Sequence, residues 1–189
     1  MVLKSAALRK WRRKKWVEII APKYFGELPI GVTPVNQPKQ AIGRIVQIAL
    51  SDLTKDSRHK NIEVFFKIED LKDGKGITRF WGHELSKGYV KRIVRRRKSR
   101  VDVIIDVKTQ DGKRIRVKSL LITAKKTSTN QRKELRKVSA QVIENFDAKN
   151  GFGEFVYKML VSRLAKKIRE KSHLIYPLSN VEIRKSEVL

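Results

Sequence analysis

The residues that could do chemistry in this sequence are cations with few acids beside them. Arg95-Arg96-Arg97-Lys98 stand in a row, and Leu85 to Val101 holds eight Lys or Arg and no acid. Lys125-Lys126-Thr127-Ser128-Thr129-Asn130-Gln131-Arg132-Lys133 also lacks an acid, and Arg136 and Lys137 follow it. A third group, Arg9-Lys10-Trp11-Arg12-Arg13-Lys14-Lys15, places six cations around one indole. Guanidinium and ammonium groups in such runs bind phosphate oxygens and release counterions from a nucleic-acid backbone. Trp11 or Trp16 offers a ring on which a base can stack. Trp16 also reads as core, because Trp16-Val17-Glu18-Ile19-Ile20 looks like a first strand.

The totals agree. The chain has 189 residues, 45 Lys and Arg against 19 Asp and Glu, and a formal net charge of +26. Like charges in that excess destabilise a compact state unless a polyanion opposes them. With 40% apolar residues, the chain can still bury a core, so it is not a disordered basic tail. A membrane surface is the competing polyanion. No apolar run reaches transmembrane length, and no basic amphipathic helix with a wide apolar face stands out. The absence of Cys excludes disulfides and thiolate metal sites. The basic N-terminus has no apolar stretch after it, so a cytosolic address is expected.

Catalytic signals fail one by one. His59, His83 and His173 are scattered without ligand spacing and read as surface or core-edge residues. Asp102 and Asp106 share a strand face, but Arg116 opposite Asp106 makes a cross-strand ion pair the simpler reading. Glu69, Asp70 and Asp73 cluster at a turn, where acids are expected anyway. Neither Gly74-Lys75-Gly76 nor Gly151-Phe152-Gly153 matches a phosphate-binding loop. No catalytic residue, metal or cofactor is expected.

The elements that must carry the cations are legible in outline. Val101, Val103, Ile105 and Val107 alternate with polar residues, as do Ile115 and Val117, which argues for two half-buried strands. A three-residue loop, Gln110-Asp111-Gly112 with Gly112 left-handed, sets Val107 opposite Ile115 and Asp106 opposite Arg116. Before this hairpin, strands are expected at Gly43–Leu50, Ile62–Leu71 and Ile77–Leu85, and Pro limits Ala21–Gln40 to loop or edge strand. A short helix over Ser86–Arg97 ends in the four cations, a position that the helix dipole tolerates. After the hairpin, Ser128 and Gln131 fit a capping box for a helix from about Asn130 to Lys149. Arg132, Lys133, Arg136 and Lys137 crowd its first turns, the wrong end for cations on dipole grounds. A second helix, about Glu154 to Lys171, pairs with it as an antiparallel hairpin, and Val181–Val188 is a last short strand. The fold class expected is α+β. An antiparallel β-barrel spans 16–125, a helical hairpin with the final strand spans 126–189, and a basic arm spans 1–15.

Short motifs in fixed order resemble the archaeal and eukaryotic small-subunit ribosomal protein S-one-e family. They are Trp16 through Ala21-Pro22-Lys23-Tyr24-Phe25, Gly43-Arg44-Ile45-Val46-Gln47-Ile48-Ala49-Leu50 with Asp52-Leu53, and Phe80-Trp81-Gly82. Further along come Val101-Asp102-Val103, Asp106 to Gly112, Gln131-Arg132-Lys133 and Ile175-Tyr176-Pro177-Leu178. The resemblance covers most of the chain. It implies a β-barrel with a helical appendage, seated on the small-subunit platform near the 3′ end of the small-subunit ribosomal RNA and the messenger exit. It also implies neighbouring ribosomal proteins as partners. The long C-terminal extension of eukaryotic members is missing, so an archaeal member is expected.

The expectation is therefore a non-catalytic ribosomal protein that binds rRNA. Its RNA-binding residues would be Arg9, Lys10, Trp11, Arg12, Arg13, Lys14 and Lys15 in the arm. Arg95, Arg96, Arg97 and Lys98 form the second group, and Lys125, Lys126, Asn130, Arg132, Lys133, Arg136 and Lys137 the third. Messenger RNA near the exit is a further contact on this reading, and a membrane is not. The alternatives are a free barrel-type RNA- or DNA-binding factor outside the ribosome, or a metal-dependent nuclease using Asp102 and Asp106.

Overall fold

The computed structural model describes residues 14–146 and 151–189. In chain order the elements are β1 (Lys15–Ile20), β2 (Pro29–Val35), β3 (Ile45–Ala49), α1 (Leu50–Thr54), β4 (Ile62–Lys72), β5 (Lys75–Leu85) and α2 (Lys87–Ile93). They continue with β6 (Arg100–Lys108), β7 (Arg114–Thr123), α3 (Thr129–Asn145), α4 (Phe152–Leu160), α5 (Arg163–His173) and β8 (Leu178–Val188). The chain divides into two compact units, one of residues 1–48 and 64–81 and the other of 49–63 and 82–189.

In the first unit, β2 pairs antiparallel with β1, and β1 runs parallel to the start of β5. Its core gathers Val17, Ile19, Val35, Ala41 and Ile68. Phe25 meets the edge of Phe66, and Phe66 that of Phe80, with centroids 5.6 and 6.5 Å apart. Pro29 and Pro34 sit in β2, and each lacks the N–H that a further partner strand would need. Trp16 corrects the sequence reading: it is 62% exposed, because Val17 and Ile19 take the inward face of β1.

In the second unit, the end of β5 pairs with β8, β8 with β7, and β7 with β6, all antiparallel. The β6–β7 register is the expected one, with Val107 opposite Ile115 and Asp106 opposite Arg116. The Thr109 N–H donates to the Lys113 carbonyl across the three-residue loop, and Gly112 has φ +74. β8 is longer than expected and lies between β5 and β7. Gly82 faces it where a Cβ would collide with the Ser186 carbonyl, so only glycine lets the two backbones approach.

The eight strands do not close into a barrel, contrary to the expectation. Pairing runs β2-β1-β5-β8-β7-β6, with β3 on β4 and β4 on β5, and neither β2 nor β6 gains a second partner among the described residues. The helical region also departs from the expected hairpin. The second helix is broken into α4 and α5, with Ser162 in the left-handed region at φ +61. The buried stripe Phe155, Met159, Leu160, Leu164, Ile168 runs through the break, so periodicity did not register it. α3 packs on β6 and on α5. α2 ends at Ile93, so the four cations lie beyond the helix and do not cap it.

Two contacts in this unit have measurable consequences. The N-cap of α4 is Gly151, which has no side chain, and Asp111 from the hairpin loop substitutes for it: Oδ2 accepts the Phe152 N–H at 2.6 Å. Asp111→Ala is expected to lower unfolding free energy by about 1 kcal/mol, the usual worth of an N-cap, measured by urea denaturation. His83, expected at the surface or the core edge, is 2% exposed. Its Nε2 donates to the Ile183 carbonyl at 3.0 Å, and its Nδ1 accepts from the Ser186 hydroxyl at 2.5 Å. Burial pushes its pKa down from 6.5 to about 4. Between those values the unfolded chain binds the proton and the folded one does not, so stability falls as pH drops through this window. His83→Gln should lose most of that pH dependence, about 3 kcal/mol between pH 6.5 and 4 by the pKa difference. Urea midpoints across the range check it.

Candidate nucleic-acid interface

The start of β6, the end of β7 and the start of β8 meet at one end of the second unit's sheet: Arg100 stands opposite Ile122, Ile122 opposite Asn180, and Thr123 opposite Leu178. Ser99 and Thr123 join the basic runs there. The Ser99 N–H donates to Thr123 Oγ1 at 2.9 Å, and the Thr123 N–H donates to the Ser99 carbonyl at 3.0 Å. Thr123 Oγ1 donates to the Lys125 carbonyl at 2.6 Å, while Ser99 Oγ accepts the Thr127 N–H at 3.1 Å. Ser99 directly follows Arg95–Lys98, and Thr123 directly precedes Ala124-Lys125-Lys126, so cations some 30 positions apart in sequence share one surface.

The β8 approach closes this junction. The Ala124 N–H donates to the Pro177 carbonyl at 3.0 Å, and Lys98 Nζ donates to Ser179 Oγ at 2.7 Å. The Tyr176 hydroxyl reaches the Lys126 carbonyl at 3.4 Å. From here the chain enters α3 through the expected capping box. Ser128 Oγ accepts the Gln131 N–H at 3.3 Å, and Gln131 Oε1 accepts the Ser128 N–H at 3.1 Å.

Arg95, Arg96, Arg97, Lys125, Lys126, Asn130, Lys133, Arg136 and Lys137 are all exposed, and none of the cations among them has an ion-pair partner among the described residues. Arg95 Nε bonds only the Arg92 carbonyl, at 3.3 Å. Arg132 is half-buried and donates to Thr129 Oγ1 at 3.2 Å, but its Nε and the nearby Thr127 Oγ1 have no hydrogen-bond partner among the described residues. Lys14 and Lys15 belong to the first unit, with Lys15 exposed at the start of β1. Arg9, Lys10, Trp11, Arg12 and Arg13 lie outside the described residues. α5 adds cations that the sequence reading passed over: Lys166, Lys167, Arg169 and Lys171 are exposed, with Glu170 the one acid among them. Its apolar stripe drew attention to the core, although its polar face was readable in the same eleven residues.

Several acids of this unit are paired on its sheet, whereas Glu134 stands exposed between Lys133 and Arg136 on α3. Along β6, β7, β8 and β5, Arg100 pairs with Asp102 at 2.8 Å and Arg116 with Asp106 at 2.7 Å. Lys118 and Lys185 both reach Glu187 at 2.8 Å, and Lys185 reaches Glu84 at 3.6 Å. Arg116 holds the Asp106 carboxyl below its usual range, and the two lysines do the same to Glu187. Asp106 is thus committed to Arg116 on the next strand, the expected cross-strand pair, and Asp102 to Arg100 two residues back on its own strand. Such half-exposed pairs add little stability. Their effect is to sort the charge, leaving a compensated sheet face and an uncompensated surface at the Ser99–Thr123 end and along α3.

An α+β scaffold that carries unpaired Arg and Lys far in excess of acids on one surface, with its sheet acids already paired, is the class of protein that binds polyanions. The chain belongs to the Ribosomal S3Ae family, whose model matches residues 3–189. It is 40% identical over 180 residues to small ribosomal subunit protein eS1 of Methanocaldococcus jannaschii, covering 95% of this chain and 81% of that one. The protein of the same name from Staphylothermus marinus is 36% identical over 186 residues, 98% of this chain and 88% of its own. That from Sulfurisphaera tokodaii is 38% identical over 189 residues, 100% and 98%. The resemblance drawn from the sequence motifs is thereby borne out.

Thr123→Val keeps the shape but leaves the half-buried Ser99 N–H without its side-chain acceptor. It should cost about 1–3 kcal/mol in urea unfolding, the usual penalty for an orphaned donor. It should also weaken RNA binding several-fold, because the two basic runs lose the hydroxyl that bonds both Ser99 and Lys125.

Proposed function

We propose that this protein is a structural, non-catalytic constituent of the archaeal small ribosomal subunit in the cytoplasm, holding folded rRNA through the surface described above. The observation that carries this is the sorting of charge: Asp102, Asp106, Glu84 and Glu187 are paired on the sheet while Arg95–Arg97, Lys125, Lys126, Lys133, Arg136 and Lys137 have no ion-pair partner among the described residues, Glu134 being the one acid between the last three. Family membership supports it, because the relatives are named small ribosomal subunit proteins.

On this reading, phosphates of one RNA segment bridge Arg95–Lys98 and Lys125–Lys137, with Asn130 and the Thr127–Thr129 hydroxyls supplying hydrogen bonds to sugar and phosphate. Cations at an α3 N-terminus that has no acid in its first turn add to the helix dipole's positive end, which favours an anion there. Residues 1–15 act as a basic arm, in which Arg9, Lys10, Arg12, Arg13, Lys14 and Lys15 contact phosphate and Trp11 stacks on a base. The seat is the platform, near the 3′ end of the rRNA and beside the messenger exit, with other ribosomal proteins as neighbours. Shape recognition dominates over base reading, as for most folded RNA.

If roughly eight phosphates are neutralised, log K against log salt should fall with a slope of about −6, using the single-strand coefficient. Paired charge reversals, Arg96→Glu with Lys126→Glu, should lower affinity for rRNA fragments at least tenfold with an unchanged circular dichroism spectrum. Filter binding of the full chain to small-subunit rRNA fragments across a salt series reads both. A slope near zero, or an unaffected double variant, would overturn the proposal.

A further inference from the structure

A separate feature of the second unit is not absorbed by this surface. A cavity of about 260 Å³ lies between Tyr89 of α2, Glu182 of β8, Asn61 and Ile62 at the start of β4, Leu85 at the end of β5, and Ser162. The break between α4 and α5 forms one wall, where Ser162 is held in the left-handed region. The volume is below the roughly 300 Å³ at which pockets for drug-sized ligands begin, so it admits one flat ring system and not a whole nucleotide.

The lining is that of a base pocket. Ile62, Leu85 and Val161 supply apolar surface, and Tyr89 supplies a ring on whose face the Arg92 guanidinium lies 5.2 Å from the centroid. The Tyr89 hydroxyl donates to Glu182 Oε1 at 2.9 Å, which fixes the carboxyl in place. This is the one side-chain hydrogen bond that Glu182 makes among the described residues, so Oε2 keeps its acceptor capacity. Burial pushes the Glu182 carboxyl up, with the Tyr89 bond pulling it only part of the way back. Asn61 also lines the cavity, and its side-chain amide carries both a donor and an acceptor. Arg58 is exposed at the rim, its guanidinium held by Asp56 at 2.6 Å.

We infer that this cavity holds an unpaired guanine extruded from the bound RNA, an inference that rests on the RNA-binding reading above. The Watson–Crick edge of guanine presents N1–H and N2–H as adjacent donors, which a fixed carboxylate accepts together. Its O6 is an acceptor for the Asn61 amide. Adenine presents one donor and one acceptor on that edge and would leave Glu182 half satisfied. Uracil presents a single N–H between two carbonyls that would face the carboxylate. A buried acceptor left unpaired costs more than a neutral contact, so discrimination follows from the mismatch.

The test uses free nucleotides and the full chain, so it does not depend on the extended basic surface. In ¹⁵N-labelled protein, GMP should shift the amide signals of Asn61, Tyr89, Ser162 and Glu182 at least tenfold more tightly than AMP or UMP. Glu182→Ala should abolish that preference. Asn61→Ala, which leaves the strand core untouched, should reduce it if Glu182→Ala proves misfolded by its own spectrum. Equal response to GMP, AMP and UMP, or no response to any of them, would overturn the inference while leaving the salt-dependence result standing. Guanine preference that survives in both variants would overturn it as well.

Discussion

The hydrogen bonds between Ser99 and Thr123 are the constraint on which the rest depends. They close the end of the β6–β7 hairpin opposite its turn, and they do so at the residues that adjoin two runs of like charge. Like-charged segments would separate if left to themselves. Here a buried hydroxyl and one backbone bond hold them together, and the cost of that repulsion is met by the hairpin's apolar face, Val101, Val103, Val107, Ile115 and Val117. The folded protein therefore presents a charge density that its isolated segments would not maintain.

Charge is distributed by strand geometry. Period-two alternation sends Asp102, Asp106, Arg116 and Lys118 to the outer face of β6 and β7, where cross-strand neighbours of opposite sign meet. No such alternation governs residues 95–98 or 125–133, which are turn and helix start, and no partner strand delivers acids to them. The surface left unpaired is the part of the chain where neither strand pairing nor helical spacing supplies a counter-charge. That is a physical reason for a polyanion to complete this region.

Much of this was readable from residue order alone. The hairpin register followed from Gln110-Asp111-Gly112, because only one loop length keeps Val107 opposite Ile115, and the α3 cap followed from Ser128 and Gln131. What escaped was non-local. Barrel closure depends on whether edge strands find partners: the prolines of β2 mark it as an edge, but nothing in β6 announces that it gains no second partner. The break at Ser162 carries neither Gly nor Pro, and the apolar stripe passes through it without interruption. Trp16 was ambiguous between core and surface because either face of β1 could have turned inward; Val17 and Ile19 decided it. His83 reads as a stray histidine until β8 is laid beside β5 and brings Ser186 and Ile183 to its ring. At the site, the cations were legible by composition, whereas the contacts that bring residues 95–98 and 125–126 together were not.

The chain has no cysteine, so single cysteines at Arg96 and at Lys126 can each carry a tethered iron chelate that cleaves RNA backbone nearby. The most direct measurement is to assemble each labelled protein into small subunits and map the rRNA cuts. The account predicts that both tethers cut the same rRNA segment, with overlapping sites. Absence of cleavage from either position, or cuts confined to unrelated segments, would contradict it.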